Sequence, residues 1–570
     1  MVSLGAFRVQ PLGTVLGGLV PVQIREYRPS ITFFVCALTL VGALLLGGGT
    51  RGGFLSDAIL ELIAVPALLI ALASLGDRQI WRTKTRPDVY RVLALCCAIA
   101  LLPLIQLVPL PPRIWVNLLR REELAKVFEL VGNETPWMPI SVSPPATWLS
   151  FLSLLPPLAI FLATMQLSYR ERRGLSLVII AVGVVSVFLG LSQVAQGQSS
   201  LLRFFSITNA TDAVGFFANR NHFAALLYAV LLFTAVWAID IGFKIGSWND
   251  LKNFETGKVV ALTAILMIFI VVIAGEAMTR SRAGLALTIV ALLAVFALTL
   301  TDRRNISGAT SADGRKVSGA MVKKLLLGAT ILALILSMQF ALYRILGRFT
   351  NDPLEDARIV FAHNTVAAAK AFLPFGSGSG TFVPVYQMFE RPNDAIANTF
   401  ANHAHNDFLE LWLETGIFGP ILLCLFVIWL GFKSVQLWRR PPAGLSAFDC
   451  SLARAATAVI WLLLAHSFVD YPLRTEAILA VFAVCCAFLI APLRGATAPG
   501  RDLVRRQEAV TVASSSASAS PAVVMRETEA VLMRETEKKA TAHGRRWGEG
   551  IDWPDQWRNS DTNNTSKTSG

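Results

Sequence analysis

The apolar residues of this chain fall into about twelve separate stretches, near 30–48, 58–76, 92–108, 147–167, 174–196, 222–243, 258–279, 283–301, 325–346, 419–437, 455–470 and 476–492. About 20 mostly apolar residues suffice for a helix to cross a hydrocarbon core, and a helix satisfies its own backbone hydrogen bonds there. Such repetition excludes a single soluble globule, a chain held by one anchor, and disorder over most of the length. Composition agrees: 54% of the 570 residues are hydrophobic and 16% charged, with mean hydropathy +0.56. The expected fold is an all-α polytopic membrane protein of about twelve transmembrane helices. The spans define a membrane domain at 30–493, preceded by a cytoplasmic segment at 1–29 and followed by a disordered cytoplasmic tail at 494–570.

The net charge of +13 raises nucleic acid as a partner, but its placement argues otherwise. With the N-terminus in the cytoplasm, the inward loops carry about 0.26 Lys and Arg per residue and the outward loops about 0.10. The basic excess therefore orients the spans, both termini are expected to be cytoplasmic, and the bilayer rather than nucleic acid is the partner it indicates. Leu12 to Val22 is mildly apolar but is broken by Gly13, Gly17, Gly18 and Pro21 and lacks a small-residue cleavage site, so no removed signal peptide is expected. Seven cysteines, all in spans or inward loops, suggest neither a disulfide framework nor a zinc finger. The tail holds a serine-rich run, Ser514 to Ser520, and a tandem octad, AVVMRETE then AVLMRETE at 522–537, which reads either as slippage or as a short partner-binding helix.

Titratable groups collect on one side. His222, His363, His403, His405 and His466 map to outward loops or outward span ends, and His543 lies in the tail. The outward stretch 347–404 is much longer than an ordinary connection, which marks it as functional or partly structured. Within it Glu355 to Leu373 has helical composition and ends at Pro374. Gly376-Ser-Gly-Ser-Gly380 is either a close-approach turn for a phosphate or a plain flexible turn, and it lacks the Lys-Ser/Thr of a nucleotide loop.

The densest polar cluster is Asn402-His-Ala-His-Asn-Asp407. Asp407 and Glu410 have capping-box spacing for a helix beginning at Asp407, and Asp407, Glu410 and Glu414 share one face of that helix, which suits a short segment in the membrane interface. Gly416 and Pro420 then interrupt it. His403 and His405 lack a metal-ligand spacing, and no metal or cofactor is expected. A neutral imidazole at His405 suits general-base work at neutral pH, the alternative being an ordinary loop histidine. Arg280 and Glu276 have i, i+4 spacing and can pair, leaving Arg282 without a local partner, while Phe216-Phe-Ala-Asn-Arg220-Asn-His222-Phe sets polar groups just before a span. Each arginine is either a snorkelling anchor or a ligand for an anionic phosphate. Asp470 and Arg474 can pair across a short turn, with His466 on the side of Asp470, in a supporting role.

These residues carry a resemblance. His405 and Asn406 are followed by nine residues and then Gly416-Ile-Phe-Gly419, a pattern similar to the motif of the bacterial O-antigen ligase and polysaccharide polymerase family. Pro420 departs from the small or polar residue usual at the next position. FANRNHFA at 217–224, RSRAGL at 280–285 and PFGSGSGTF at 374–382 are similar to further strings of that family, so the resemblance covers about 200–475. It implies a C-type glycosyltransferase-like membrane fold, acting at the periplasmic face of the inner membrane on a glycan carried by undecaprenyl diphosphate. The acceptor would be a glycan or a lipid A core sugar, with metal-independent inversion at the donor. By position it gives Arg220 and Arg282 the diphosphate and His405 the acceptor hydroxyl. Arg280, Asn406, Glu410, Glu414, His403, His222, Asp470 and Arg474 are expected to bind or orient the substrates. A transporter or flippase of lipid-linked glycans is the alternative, and it would place functional charges near mid-membrane in repeated halves.

Overall fold

The computed structural model describes residues 29–76, 87–132, 134–206, 208–245, 256–306, 353–392, 400–442 and 445–493, together with 328, 331 and 335. The expected span at 325–346 lies outside them apart from those three residues. So do residues 1–28 and the 494–570 tail with its octads and His543.

The described chain is helical. In order the helices are α1 (Ile31–Leu46), α2 (Leu55–Leu75), α3 (Pro87–Gln106), α4 (Pro112–Trp115), α5 (Glu122–Val131), α6 (Pro144–Leu152), α7 (Leu155–Gln166), α8 (Tyr169–Gln196), α9 (Arg220–Ile245), α10 (Thr256–Thr279), α11 (Arg282–Ile306), α12 (Pro353–Ala371), α13 (Phe382–Tyr386), α14 (Asp407–Thr415), α15 (Phe418–Arg439), α16 (Ala447–His466) and α17 (Glu476–Phe488). Among the described residues nine segments are long and apolar enough to cross a membrane, α6 and α7 counting together, and α1 and α17 are shorter apolar helices. Pro109–Leu110 pairs antiparallel with Met138–Pro139 in a two-residue ladder.

Local chemistry sets the boundaries. The Ser30 hydroxyl accepts from the Phe33 N–H to start α1, and Ser168 and Glu171 close a capping box on α8. The expected span at 147–167 is two helices, because Pro156 and Pro157 lack the N–H groups that would bond the carbonyls of Leu152 and Ser153, yet fit the first turn of a new helix. The expected span at 476–492 ends as a helix at Phe488, and its 13 residues rise only about 20 Å.

Helix α9 is the core of the bundle and packs on α8, α10, α11 and α16. It is apolar on all sides, and small residues such as Ala224, Ala225 and Ala229 let its neighbours approach closely. A Cβ at Gly183 of α8 would fall 2.4 Å from Val230, and one at Gly284 of α11 would fall 2.4 Å from the Ala224 methyl. By contrast α15 exposes Ile421, Leu425, Ile428, Phe432 and Val435, the outer stripe expected of a helix against lipid. The long connection before α14 is partly helical, as its composition predicts. Its helices α12 and α13 form a small core with Ala404 and Leu413 through Phe361, Phe372, Phe382 and Tyr386.

Candidate functional site

One end of the bundle collects the polar groups. Helices α9, α11, α14 and α17 begin there, whereas α1, α3, α10 and α16 end there. Residues distant in sequence are thus brought together by the up-and-down course of the chain.

His405 sits just before α14 with φ +51°, one of the few non-glycine residues in the left-handed region among the described residues; Arg280, with φ +53°, is another. Such conformations cost about 1–3 kcal/mol and persist where the surroundings impose them. Asn406 caps α14 by accepting from the N–H groups of Phe408 and Leu409, and its amide donates to the Phe468 carbonyl. The Asp407 N–H bonds the Ser467 carbonyl at 2.9 Å. The cap is therefore Asn406 rather than Asp407, and Glu410 is released from the expected capping box.

His405 Nδ1 lies 3.1 Å from Asp470 Oδ1, which also accepts from the Tyr471 N–H. The Asn221 amide donates to Asp470 Oδ2, and the Ser281 hydroxyl donates to Asn221 Oδ1 at 2.7 Å. Burial alone would raise the Asp470 carboxyl, but the bond from His405 and the surrounding histidines hold it well below the usual carboxylate range. An ionised Asp470 accepts only, so the His405 proton sits on Nδ1 and Nε2 is the basic position. The expected pairing of Asp470 with Arg474 does not form, because Asp470 is turned inward to His405 and Asn221.

The arginines meet on a different aspartate. Arg220 Nη1 is 2.6 Å from Asp212 Oδ2 and Arg280 Nη1 is 3.4 Å from Asp212 Oδ1. Arg280 therefore bonds Asp212 rather than the expected Glu276, which is buried beneath Gly284 at the end of α10. Arg282 opens α11, next to Ser281, with an exposed side chain.

A second charged cluster stands behind the histidine. Arg474 Nη1 is 2.7 Å from Glu414 and 3.4 Å from Glu410, and its Nε is 3.7 Å from Asp407. The three acids do share one face of α14, but that face is buried: Glu410 is 1% and Glu414 2% exposed. Arg474 and His403 cover that face. His403 Nδ1 is 2.8 Å from Glu410 and its Nε2 is 2.9 Å from the Thr50 carbonyl. Burial raises the Glu410 carboxyl and Arg474 and His403 lower it, leaving it at about 2. Burial lowers His403, and Glu410 outweighs that and raises it. With an acceptor at each ring nitrogen, His403 is an imidazolium and cannot serve as a base.

Tyr471 is the ring between these groups, with centroids 4.2 Å from His403, 4.8 Å from His222 and 4.9 Å from His405. His222 is wholly buried against it, walled off from any substrate in this conformation. His466 contacts the Tyr228 hydroxyl inside the bundle, and His363 is exposed on α12, apart from the cluster.

The glycine run is neither a phosphate cradle nor a free turn. The N–H groups of Ser377, Gly378 and Ser379 bond the Leu413 and Glu414 carbonyls and Gln106. A Cβ on Gly376, at φ +81°, would fall 2.4 Å from the Glu414 oxygen. The run pins the end of α14. Among the described residues no group of three or more His, Cys, Asp and Glu is arranged to hold a metal ion.

Sequence reasoning missed Asp212, Asn221, Ser281, Tyr471 and Thr50. Asn221 and Ser281 lie inside strings already singled out for their arginines, and that adjacency was the available signal.

Residues 262–424, which carry the Arg280–Arg282 turn and all of His403 to Thr415, match the family model described as O-antigen ligase. That match marks the segment as an O-antigen ligase domain and supports assignment to that family. The chain matches no curated protein. Such a domain supports a membrane ligase or polymerase of polysaccharide biosynthesis, and it implies lipid-linked glycan and acceptor substrates. Arg220, Asp470 and Arg474 lie outside the matched segment and are joined to it by the contacts above.

Proposed function

We propose that the protein transfers an undecaprenyl-diphosphate-linked glycan to an acceptor sugar hydroxyl at the periplasmic face of the inner membrane. The acceptor oxygen attacks the anomeric carbon as the bond from that carbon to the diphosphate breaks. The electron pair leaves on the diphosphate oxygen, and the acceptor proton passes to Nε2 of His405. Attack opposite the leaving group inverts the donor carbon.

Charge grows on the diphosphate during this step, and fixed guanidinium groups that meet it there are worth about 10²–10³ in rate. Arg220, Arg280 and Arg282 supply them in place of a metal ion. Asp470 holds the tautomer of His405 and stabilises the imidazolium formed, the role of an orienting acid behind a general base. The hydrogen-bond chain Ser281–Asn221–Asp470–His405 carries this reading, because it connects both arginine strings to the base. The sparse Lys and Arg of the outward loops support the periplasmic assignment.

The test is to replace Arg220, Arg282 and His405 singly by Ala in the native host and to analyse lipid-linked and surface glycans. Accumulation of completed polymer on the carrier identifies a ligase, and accumulation of single repeat units a polymerase. Normal surface glycan in all three well-inserted variants overturns the proposal.

A further inference from the structure

Arg474 and His403 also line a cavity of about 480 Å3, within the roughly 300–1,000 Å3 of small-molecule sites. It is framed by the loop from Gly49 to Phe54, the first turns of α2, helix α6, and the buried acidic face of α14. Five carboxylates line it, Asp57, Glu61, Glu410, Glu414 and Glu476, against the cations Arg51, His403 and Arg474. Phe54, Phe382 and Phe400 supply apolar wall, and the Arg51 guanidinium lies 4.7 Å over the Phe400 ring.

Two oxygens on this wall are unaccounted for. Glu414 Oε1 and Glu476 Oε2 are buried and have no hydrogen-bond partner among the described residues, in side chains only 2% and 8% exposed. Leaving such acceptors unmade costs about 1–3 kcal/mol each, and more when charged. A ligand that meets them must bring hydrogen-bonding groups, and hydroxyls serve both as donors and as acceptors. An anion is disfavoured, because Asp57, Glu61 and Glu476 crowd carboxyl groups onto one wall. Apolar walls with a few convergent acceptors suit a polyhydroxyl ring.

We infer that this cavity binds a sugar ring of the acceptor glycan, one bearing free hydroxyl or amino groups and no phosphate or carboxylate, with Glu414 and Glu476 hydrogen-bonding to it. This rests on the transfer reaction proposed above for its biological meaning, though not for its test. The division of charge follows the chemistry: the anionic donor goes to the arginines at Asp212, and the uncharged partner to the acid-lined cavity. His403, Glu410 and Arg474 line the cavity and belong to the charged cluster of α14 as well.

Saturation-transfer NMR on the purified full-length protein tests it, with maltotriose and chitotriose as neutral probes and trigalacturonate as the anionic one. Saturation of at least one neutral probe and not of trigalacturonate is expected, equally in wild type and in the His405→Ala protein. Because the His405 variant need not turn over, failure of the transfer proposal leaves this result readable. Ala58→Trp, which fills the cavity from α2, abolishes the signal, and the near-isosteric Glu476→Gln weakens binding about tenfold, with unchanged thermal unfolding in both. Saturation that persists in Ala58→Trp, equal saturation by trigalacturonate, or none with either neutral probe overturns the inference.

Discussion

Two arginine clusters stand at the same end of the bundle and are built on opposite charge ratios. At the start of α9 and α11, Arg220 and Arg280 share the single carboxylate of Asp212. Around α14, Arg474 and His403 face Asp407, Glu410 and Glu414. Exposure does not separate them: the arginine side chains are 22% and 32% exposed in the first and 21% in the second, and the acids are buried in both. The ratio does. A cluster in which arginines outnumber acids is suited to receive an anion. One in which several acids converge on one arginine is suited to hold a helix still, and α14 carries His405 at its head.

The sharpest way to break this contrast is to remove one arginine from each cluster. Arg474→Ala strands buried carboxylates and is expected to cost about 3–5 kcal/mol, read as a large fall in thermal unfolding temperature in detergent. Arg220→Ala leaves the buried Asp212 paired with Arg280 and is expected to cost less, about 1–2 kcal/mol, while glycan transfer drops by about 10²–10³. Equal stability losses would show that the clusters do not differ in kind. Next in size is the base: His405→Ala should lower transfer by about 10²–10⁴, and Asp470→Asn should also lower it, by releasing the tautomer, with little change in donor binding. The spare cations also predict that EDTA leaves the rate of the purified enzyme unchanged. Loss of rate with EDTA and its return with a divalent ion would mean that the arginines do not carry the diphosphate charge alone.

The contrast itself was only half legible in the sequence. Apolar runs of span length appear as helices wherever they fall in the described residues, because length and hydropathy decide them locally. The arginine strings and the histidine motif were visible too, since polar residues at span ends stand out. What the sequence could not show was partner choice. Arg280 prefers Asp212 to Glu276, four residues away on the same turn, because the left-handed backbone at Arg280 turns its side chain toward the α8–α9 connection. Asp470 and Arg474 part company for a similar reason. Each meets a different segment only after α14 has docked, and the burial of the acidic face of α14 follows from that docking rather than from its periodicity.

The smallest expected effect is a pH dependence in the α14 cluster. Asp407 is raised to about 7, because burial raises it more than Arg474 and the Ser467 hydroxyl lower it. Its Oδ2 accepts from Ser467 at 2.7 Å, whereas its Oδ1 faces Arg474 Nε at 3.7 Å without a hydrogen bond. An aspartate in the unfolded chain titrates near about 3.9, so the folded state holds the carboxyl proton more tightly. The stability it contributes is fully present below about pH 4 and is lost as pH rises through about 7, with a slope of at most about 1.4 kcal/mol per pH unit. Asp407→Asn fixes the protonated shape. Relative to wild type, that variant should lose less stability between pH 5 and 7.5, a difference on the order of a few degrees in unfolding temperature. Glu410, held near 2, acts with the opposite sign, and its contribution fades only as pH falls below about 4 toward 2. Parallel pH curves for wild type and Asp407→Asn would place the titrating burden outside the α14 cluster.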